Sequence, residues 1–598
     1  MHRLSRTTPV VNNVSLGLAF SETKTWIGLN SDSANRAGST EGAIYTNVSE
    51  SGNYSYVMED KLLRGGFRYL TLFLVTLEDD DATVEVNSIE LEIAFAPTWS
   101  NLRAYTGYFY SNDDLLNRIW YAGAYTLQTN AIPANTGRFS VTTEWANNAT
   151  VGPGDTVLVD GAKRDRAVWP GDMGVAAPAS FVSIGDLESI RNALQVMYDY
   201  QGTDGSFPMS GPPMLVSDSD TYHMWNMIGT YNYYLYSGNS TFLEDLWEKY
   251  LLAMEYIYAK VDTSGSGLLT ATNPDDWGRT ERGGNNTAAN ALLYRTLTTG
   301  TALADWRSNT TNSTQATTWL SAAADLKAAI NTHCFSTTAG LYTNNATSGN
   351  DLYPQDANSM AVLFGVADDA ERAANVSSGL TRSWTSIGAA APELPDTVSP
   401  FVSSLEIQAH CVAGNASRAL DLVRRSWGWY ADHPNGTQST VIEGYKVDGS
   451  FGYRSEGLYK NDPSYVSHAH GWGAGPTTVL TEFVVGLRVA DVQGRRWRIR
   501  PLYGDLERAE GGFTTGLGKF RAAWVRNDDG GVELTFGVPA GTEGVVVLSV
   551  DGDAVVTVKT ADGEEPGEEE VQVSQSSTEV EIAVNASGAE YTVTVSYE

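Results

Sequence analysis

Cysteine and basic residues are scarce in this sequence. Its 598 residues include two cysteines, Cys334 and Cys411, which allow at most one internal disulfide and supply neither a zinc tetrad nor a Cys-x-x-Cys redox motif. Lys and Arg number 39 against 71 Asp and Glu, so the net charge is −32. Because such a field repels polyanions and no basic stripe is present, nucleic acid is not expected as a partner.

Long apolar runs and several catalytic motifs are also missing. No stretch approaches the roughly 20 apolar residues of a membrane span, so no membrane partner is expected. The sequence contains no dinucleotide-binding glycine motif on a strand, no Walker loop, no His-Glu-x-x-His and no Gly-x-Ser-x-Gly, so nucleotide, metalloprotease and serine hydrolase functions lack their minimal motifs. A charged fraction of 18% with 11% aromatic residues excludes disorder for most of the chain.

Acceptor motifs for N-glycans, in contrast, are abundant. The Asn-x-Ser/Thr sequons lie at Asn13, Asn47, Asn53, Asn148, Asn239, Asn285, Asn309, Asn312, Asn345, Asn375, Asn415, Asn435 and Asn585. We therefore expect a secreted eukaryotic glycoprotein whose signal peptide is not present in this sequence, since the N-terminus lacks an unbroken apolar core. An intracellular protein rich in Asn and Thr is the alternative.

The chain is too long for one ordinary hydrophobic core, and its hydrophobic period changes twice. Residues 1–97 alternate as strands do, above all at 68–77 and 83–95, which predicts an incomplete N-terminal β-sandwich. Residues 98–487 contain roughly a dozen helical patterns, which suit paired helices in a double ring. Residues 488–598 return to short strands and predict a C-terminal β-sandwich.

Shorter signals predict the limits of the helical region. Ser111 followed by two carboxylates predicts that the first helix begins near this serine. Asp186 is the predicted cap of a helix whose apolar residues recur three and four positions apart. After Gly486 the pattern becomes that of strands.

The densest polar cluster spans residues 160–174 and contains Asp160, Arg164, Asp165, Arg166, Trp169 and Asp172. Carboxylates accept pairs of hydroxyl hydrogen bonds, arginines orient carboxylates, and an indole packs against the C–H face of a sugar ring. The cluster therefore indicates a site for a polyhydroxylated ligand. An ion-paired loop that opens a helix fits the same spacing.

Two further segments, 219–226 and 273–284, place carboxylates beside Trp225 and Trp277. Together with the first cluster they suggest a carbohydrate cleft, although each tryptophan fits the role of core residue equally well.

A later segment combines Glu443 with His470. Burial among apolar neighbours favours the neutral form of Glu443 unless hydrogen bonds or positive charge keep it ionised. Such a glutamate is more often structural. Opposite a carboxylic acid from the first cluster, it becomes half of a glycosidase pair.

In this order the clusters resemble the α-L-rhamnosidases of glycoside hydrolase family 78. The family's Asp-Cys-Pro-x-Arg-Glu segment, which ends in Trp-Thr-Gly-Asp, is matched at Asp160, Arg164, Asp165, Trp169, Gly171 and Asp172. The family's glutamate shortly after a threonine is matched by Glu443, and its Ser-x-x-His motif by Ser467 and His470. The resemblance extends from about Leu62 to the end of the chain.

The resemblance implies a central (α/α)6 barrel flanked by N-terminal and C-terminal β-sandwich domains. It also implies hydrolysis of terminal α-L-rhamnosyl residues of plant glycosides or polysaccharides with inversion, Asp165 being the general acid and Glu443 the general base. The implied substrate-binding residues are Asp160, Arg164, Trp169, Asp172, Trp225, Trp277 and His470. No cofactor or metal is implied, since two carboxyl groups suffice.

The sequence departs from the family pattern at two places. Gly161-Ala162 replaces Cys-Pro, and the acid position, usually Glu, holds the shorter Asp165. Either the backbone lies closer to the glycosidic bond or another carboxylate delivers the proton.

Two other functions stay open at this stage. One is another (α/α)6-barrel glycosidase or a lyase acting on uronic-acid-containing polysaccharide, which additional cations would favour; the candidates are Arg164, Arg166, Arg279 and Arg282. The other is a non-catalytic rhamnose-binding homologue, which the short acid favours.

Overall fold

The computed structural model describes residues 3–5, 14–35, 42–48, 55–76, 83–139, 146–346, 351–454, 459, 462–528, 530–552 and 554–597. The sequons at Asn13 and Asn53 lie outside these ranges. Within them the chain folds into an N-terminal β region, a helical region and a C-terminal pair of sheets.

The N-terminal region forms two three-stranded antiparallel sheets. In spatial order, one contains Ser55–Val57, Arg3–Ser5 and Ile89–Glu90, and the other Ile44–Val48, Val14–Ser21 and Tyr69–Thr76.

The two strand predictions in this region have different outcomes. The strand predicted at 68–77 corresponds to Tyr69–Thr76, whereas in the 83–95 segment only Ile89–Glu90 pairs with another strand. The side chains of Leu91 and Ile93 are 54% and 56% exposed, so the apolar alternation there does not face a core.

The helical region begins with a capped helix. Ser111 ends the strand Tyr108–Ser111, and the Asp113 carboxylate then accepts hydrogen bonds from the amides of Leu115 and Leu116. The α-helices are Asp114–Asn130, Pro170–Val182, Glu188–Asp199, Asp220–Ser237, Ser240–Tyr258, Thr287–Ser308, Thr314–His333, Gln355–Leu363, Ala370–Leu380, Pro400–Val412, Ala416–Val423, Trp429–Asp432 and Gly475–Val479. Short two-stranded ladders connect several of them; their strands are Ala131–Pro133, Thr156–Leu158, Phe335–Ser336, Leu341–Tyr342, Trp384–Thr385, Gly388–Ala389, Thr397–Val398 and Tyr445–Lys446.

The C-terminal region consists of a five-stranded and a six-stranded sheet. The first contains, in spatial order, Leu487–Val489, Arg496–Ile499, Glu543–Ser549, Glu579–Asn585 and Val571–Gln575. The second contains Val555–Thr560, Glu590–Ser596, Val532–Gly537, Gly518–Arg526, Arg508–Thr515 and Tyr108–Ser111. The last of these strands precedes the first helix, so the helical region and the C-terminal sheets are joined by main-chain hydrogen bonds.

The helical region and the C-terminal sheets also share one hydrophobic core. The Trp524 indole donates to the carbonyl of Val484 at 2.9 Å, and the rings of Phe513 and Tyr236 pack edge-on with centroids 6.2 Å apart. The N-terminal sheets have a separate small core of Leu16, Leu18, Phe20, Ile44 and Met58. The site described below is therefore carried by the larger body.

Two further properties concern the cysteines and the helices. Cys334 and Cys411 are both free and buried, so they do not form the single disulfide that the sequence permits. In the described part of the chain, the helices are too short or too polar to cross a bilayer.

Candidate active site

One cavity of about 1120 Å³ gathers most of the residues that the sequence singled out. Its wall includes Asp160, Arg164, Asp165, Trp169, Asp172, Glu443 and His470. Residues more than 270 positions apart in the chain thus face the same space, as the glycosidase hypothesis requires.

The 160–172 segment is closed on itself by the Asp160 carboxylate. Its two oxygens accept the amides of Asp165 at 2.8 Å and Ala167 at 3.3 Å, and the peptide bond between Arg164 and Asp165 is cis. The next helix starts at Pro170, where proline loses no helical hydrogen bond, and it has Asp172 in its first turn. This tight turn presents the side chains of Arg164 and Asp165 to the cavity.

Glu443 is held as an anion. Arg164 forms an ion pair with Glu443 Oε2, the Ser467 amide donates to the same oxygen at 2.9 Å, and the Tyr459 hydroxyl donates to Oε1 at 2.5 Å. Burial alone would raise the pKa of Glu443, but the Arg164 charge, then His470 and these hydrogen bonds, lower it. A carboxylate in this setting can accept a proton from a bound water.

Asp165 lies against the same guanidinium. Its Oδ1 accepts the Tyr465 hydroxyl at 2.6 Å and lies 4.0 Å from Nη1 of Arg164. The Tyr465 ring packs against the Arg164 guanidinium at 4.1 Å and its carbonyl accepts Nε at 2.7 Å. Arg164 therefore fixes Asp165 and Glu443 relative to one another.

Among the other acids of the cavity, Asp160 and Asp172 have raised pKa values. Burial, and next the charge of Asp165, raise the pKa of Asp160 to about 7. Burial also raises the pKa of Asp172, against the opposing effect of His470, whose Nε2 lies 3.0 Å from Asp172 Oδ1. Burial would lower the pKa of His470, but the hydrogen bond to Asp172 and the surrounding carboxylates raise it.

The three predicted tryptophans have different positions. Trp169 is half-buried on the cavity wall, and its ring is edge-on to Tyr222 with centroids 6.0 Å apart. Trp225 and Trp277, 3% and 1% exposed, do not belong to the cavity wall, and their role as substrate-binding residues stays a prediction.

Packing explains why these two indoles do not reach the cavity wall. Trp225 packs between Phe364 and Phe401, with centroids 6.3 Å from each. The indole of Trp277 donates to Asp356 Oδ2 at 3.0 Å. Both support the wall from behind.

Lys163 is a contributor that the sequence analysis missed. Its side chain is fully buried, and Nζ donates to the carbonyls of Ser464 at 2.8 Å and Val466 at 3.0 Å. Glu22 and Asp32 from the N-terminal region lie 3.2 and 3.5 Å from Nζ. This set of contacts, the Lys163 cluster, fixes the backbone on both sides of Tyr465.

Tyr459 and Tyr465 were also missed, although both follow Glu443 closely in the chain. Two tyrosines in a loop have no periodic pattern, and the charge partners that give them a role lie about three hundred residues away in the case of Tyr465. Their aromatic character beside an acidic and a basic cluster was the only available signal.

The reactive side chains of the cavity are mainly carboxyl groups. Across the described ranges, the His, Cys, Asp and Glu side chains form no group able to hold a metal ion. The arrangement offers one ionised carboxylate, a second carboxyl beside a proton-retaining neighbour, and an aromatic wall, which is the composition of a sugar-cleaving site.

Comparison with known protein families gives matches in two segments. Residues 143–390 match the bacterial alpha-L-rhamnosidase 6 hairpin glycosidase domain, and residues 486–562 match the bacterial alpha-L-rhamnosidase C-terminal domain. A comparison with curated protein sequences gave no significant match.

Solved structures agree with these matches. An alpha-L-rhamnosidase from Dictyoglumus thermophilum superposes over 100% of this chain with a TM-score of 0.71 and 14% identity. A GH78 family rhamnosidase of Bacillus sp. GL1 gives 0.65 over 88% at 21% identity, and the Streptomyces avermitilis alpha-L-rhamnosidase complexed with L-rhamnose gives 0.64 over 99% at 16% identity. At these identities the likeness establishes the fold, a multidomain architecture with a helical core and several β-sheets.

The chain spans 60%, 49% and 51% of the lengths of these three structures. The two matched segments together make up more than half of the chain, so the resemblance seen in the sequence is confirmed: this chain belongs to glycoside hydrolase family 78, the α-L-rhamnosidases.

Proposed function

We propose that this chain is an inverting α-L-rhamnosidase that removes terminal α-L-rhamnosyl residues from plant glycosides or polysaccharides. The observation that carries the proposal is the pair of carboxyl groups on one guanidinium, with Glu443 held ionised and Asp165 beside the proton-retaining Asp160. Different environments for two acids are what acid and base roles require.

In the proposed reaction, Asp165 donates its proton to the glycosidic oxygen while the bond between that oxygen and the anomeric carbon breaks. Glu443 removes a proton from a water molecule, and the water oxygen bonds to the anomeric carbon from the opposite face. Free rhamnose, the alcohol and a protonated Glu443 result, and proton exchange with solvent restores both carboxyl groups.

The substrate-binding roles proposed for Asp160, Asp172, His470 and Trp169 are supported by their places on the wall. The imidazole of His470 and the carboxylate of Asp172 face the cavity as a hydrogen-bonded pair that can both donate to and accept from sugar hydroxyls. Trp169 supplies a flat apolar surface for the C–H face of the ring.

The decisive experiment follows hydrolysis of an aryl α-L-rhamnoside by proton NMR. We expect β-L-rhamnose to appear first and to mutarotate afterwards. First release of the α-anomer would contradict inversion, an unsaturated sugar product would indicate a lyase, and binding of rhamnose without turnover would select the non-catalytic alternative.

The pH dependence should follow the Asp160–Asp165 pair. Burial, and next the charge of Asp165, raise the pKa of Asp160 to about 7, so the two carboxyl groups together hold one proton up to about that pH. Because this proton is the one that the acid delivers, we expect kcat/KM on an alkyl α-L-rhamnoside to fall as the pH rises through about 7. The lowered pKa of Glu443 keeps the base ionised across this range, so titration of the base does not cause the fall in kcat/KM. The measurement is a pH profile of kcat/KM.

Two variants test which group causes the fall in kcat/KM. Asp160→Asn removes a negative charge that helps the Asp160–Asp165 pair to keep its proton. The fall in kcat/KM should therefore occur at lower pH. Asp275→Asn, on the same wall but paired with Arg282 at 3.0 Å, should leave it in place. A wild-type profile that stays level through pH 7 would refute the assignment.

The finer architecture and the location of the protein are also part of the proposal. We propose that the helices form an (α/α)6 barrel within residues 98–487, flanked by β-sandwich domains. Secretion with N-glycans is supported by the exposure of seven sequon asparagines in the described ranges, at Asn47, Asn148, Asn309, Asn312, Asn375, Asn435 and Asn585.

A further inference from the structure

The cations around the cavity differ in whether their charge is already matched. Arg164 is paired with Glu443, and Arg279, fully buried, with Asp356 at 2.8 Å. Arg282 is paired with Asp275 on the rim, and Lys446 donates to the Thr397 hydroxyl at 2.9 Å beside two other aspartates. These groups have little capacity left for a ligand.

Arg454 is different. Its Nη2 donates to the carbonyl of Trp277 at 3.2 Å, its Nε is buried without a hydrogen-bond partner, and its guanidinium lies 5.5 Å from the ring centroid of Tyr459. Throughout the described part of the chain, no carboxylate lies within ion-pair distance of it. Nε is enclosed beside Gly278, so an acceptor that a ligand brings would bind the Nη groups of this guanidinium, which no carboxylate of the described residues pairs with.

The backbone leaves room for this side chain. Gly278, also on the cavity wall, has φ +123°, and a Cβ at this position would lie 2.5 Å from Arg454 Nε. Any other residue at position 278 would strain the backbone and displace the guanidinium. The wall is therefore shaped to accommodate Arg454 at the cavity surface.

The cavity is also larger than one deoxysugar requires. Its volume of about 1120 Å³ exceeds the roughly 300–1,000 Å³ of sites that enclose a drug-sized ligand. The cavity therefore has room for the residue to which rhamnose would be attached.

We propose that Arg454 binds the carboxylate of a uronic acid residue that carries the rhamnose, so that the preferred substrates are rhamnosyl uronates. This inference rests on the proposed rhamnosidase function. A planar carboxylate matches the guanidinium fork with two parallel hydrogen bonds and supplies the missing countercharge, whereas a neutral aglycone supplies neither.

The test compares kcat/KM for a rhamnosyl-glucuronate disaccharide, its methyl ester and an aryl α-L-rhamnoside. We expect the wild-type enzyme to prefer the free acid over its methyl ester, and Arg454→Gln to lower the ratio of acid to aryl substrate by about ten- to hundredfold. Arg282→Gln, an equal charge change on the rim, should leave this ratio unchanged.

The outcomes separate this inference from the proposed function. Equal wild-type rates on acid and ester would overturn the uronate assignment without any variant. Equal losses on both substrates in Arg454→Gln would place Arg454 against the rhamnose ring and also overturn it. Failure to release rhamnose from every substrate, the aryl rhamnoside included, would instead refute the rhamnosidase function.

Discussion

Replacing Glu443 by glutamine is expected to lower kcat on an aryl α-L-rhamnoside by about a hundred- to ten-thousandfold, the usual contribution of a general base. Glutamine keeps the size of the side chain and can still accept the Ser467 amide, but it cannot take a proton from water. The loss should be independent of the leaving group, because activation of the water is needed for every substrate. The measurement is steady-state kinetics with two aryl rhamnosides of different leaving-group acidity.

The matched control is Glu406→Gln. Glu406 is another fully buried glutamate, which accepts the Trp384 indole at 2.6 Å and is not on the cavity wall. A change there tests whether loss of any buried carboxylate inactivates the protein. Near-normal turnover in Glu443→Gln would remove the base assignment.

Replacing Asp165 by asparagine should give a loss that depends strongly on the leaving group. For an alkyl rhamnoside, whose oxygen must be protonated as it departs, we expect a loss of about a hundred- to ten-thousandfold in kcat. For a rhamnoside with an acidic nitrophenol as leaving group, the loss should be much smaller, since this anion departs without a proton. The ratio of the two losses is the quantity to measure.

Asp275→Asn serves as the control, because it removes a carboxylate from the same wall that is paired with Arg282 and has no acid role. Equal losses on both substrates in Asp165→Asn would show that Asp165 binds rather than protonates. Asp165→Glu keeps a carboxyl group and adds one methylene, so turnover of the alkyl rhamnoside by this variant, where Asp165→Asn fails, would further support the acid role.

Local sequence signals predicted much of the fold. Asp186 accepts the Ser189 amide at 3.0 Å at the start of Glu188–Asp199, and this helix buries Ile190, Leu194 and Met197, the apolar face that its spacing indicated. Such signals are contained within one turn of helix. The 83–95 strand prediction was largely wrong because strand formation needs a neighbour, which sequence alternation alone does not specify.

The candidate site could be predicted only in part, for the same reason. Motif matches predicted Asp165 and Glu443, and the structure brings both to one cavity. The motif matches did not distinguish Trp169, which lies on the cavity wall, from Trp277, which lies behind it. The position of each indole depends on how other helices pack against it. Arg454 has no motif, and its significance is that no carboxylate of the described residues pairs with it, which only the three-dimensional arrangement reveals.

The Lys163 cluster limits how this chain can be shortened or recombined. Glu22 and Asp32 come from the segment that follows the strand Val14–Ser21 in the N-terminal region, yet they neutralise an ammonium next in sequence to Arg164. A protein trimmed to its helical and C-terminal parts would leave that ammonium uncompensated beneath the loop that carries Tyr465. Chimeras that exchange the N-terminal region between relatives should therefore retain both acids, because the larger body that carries the site depends on them for the countercharge of Lys163.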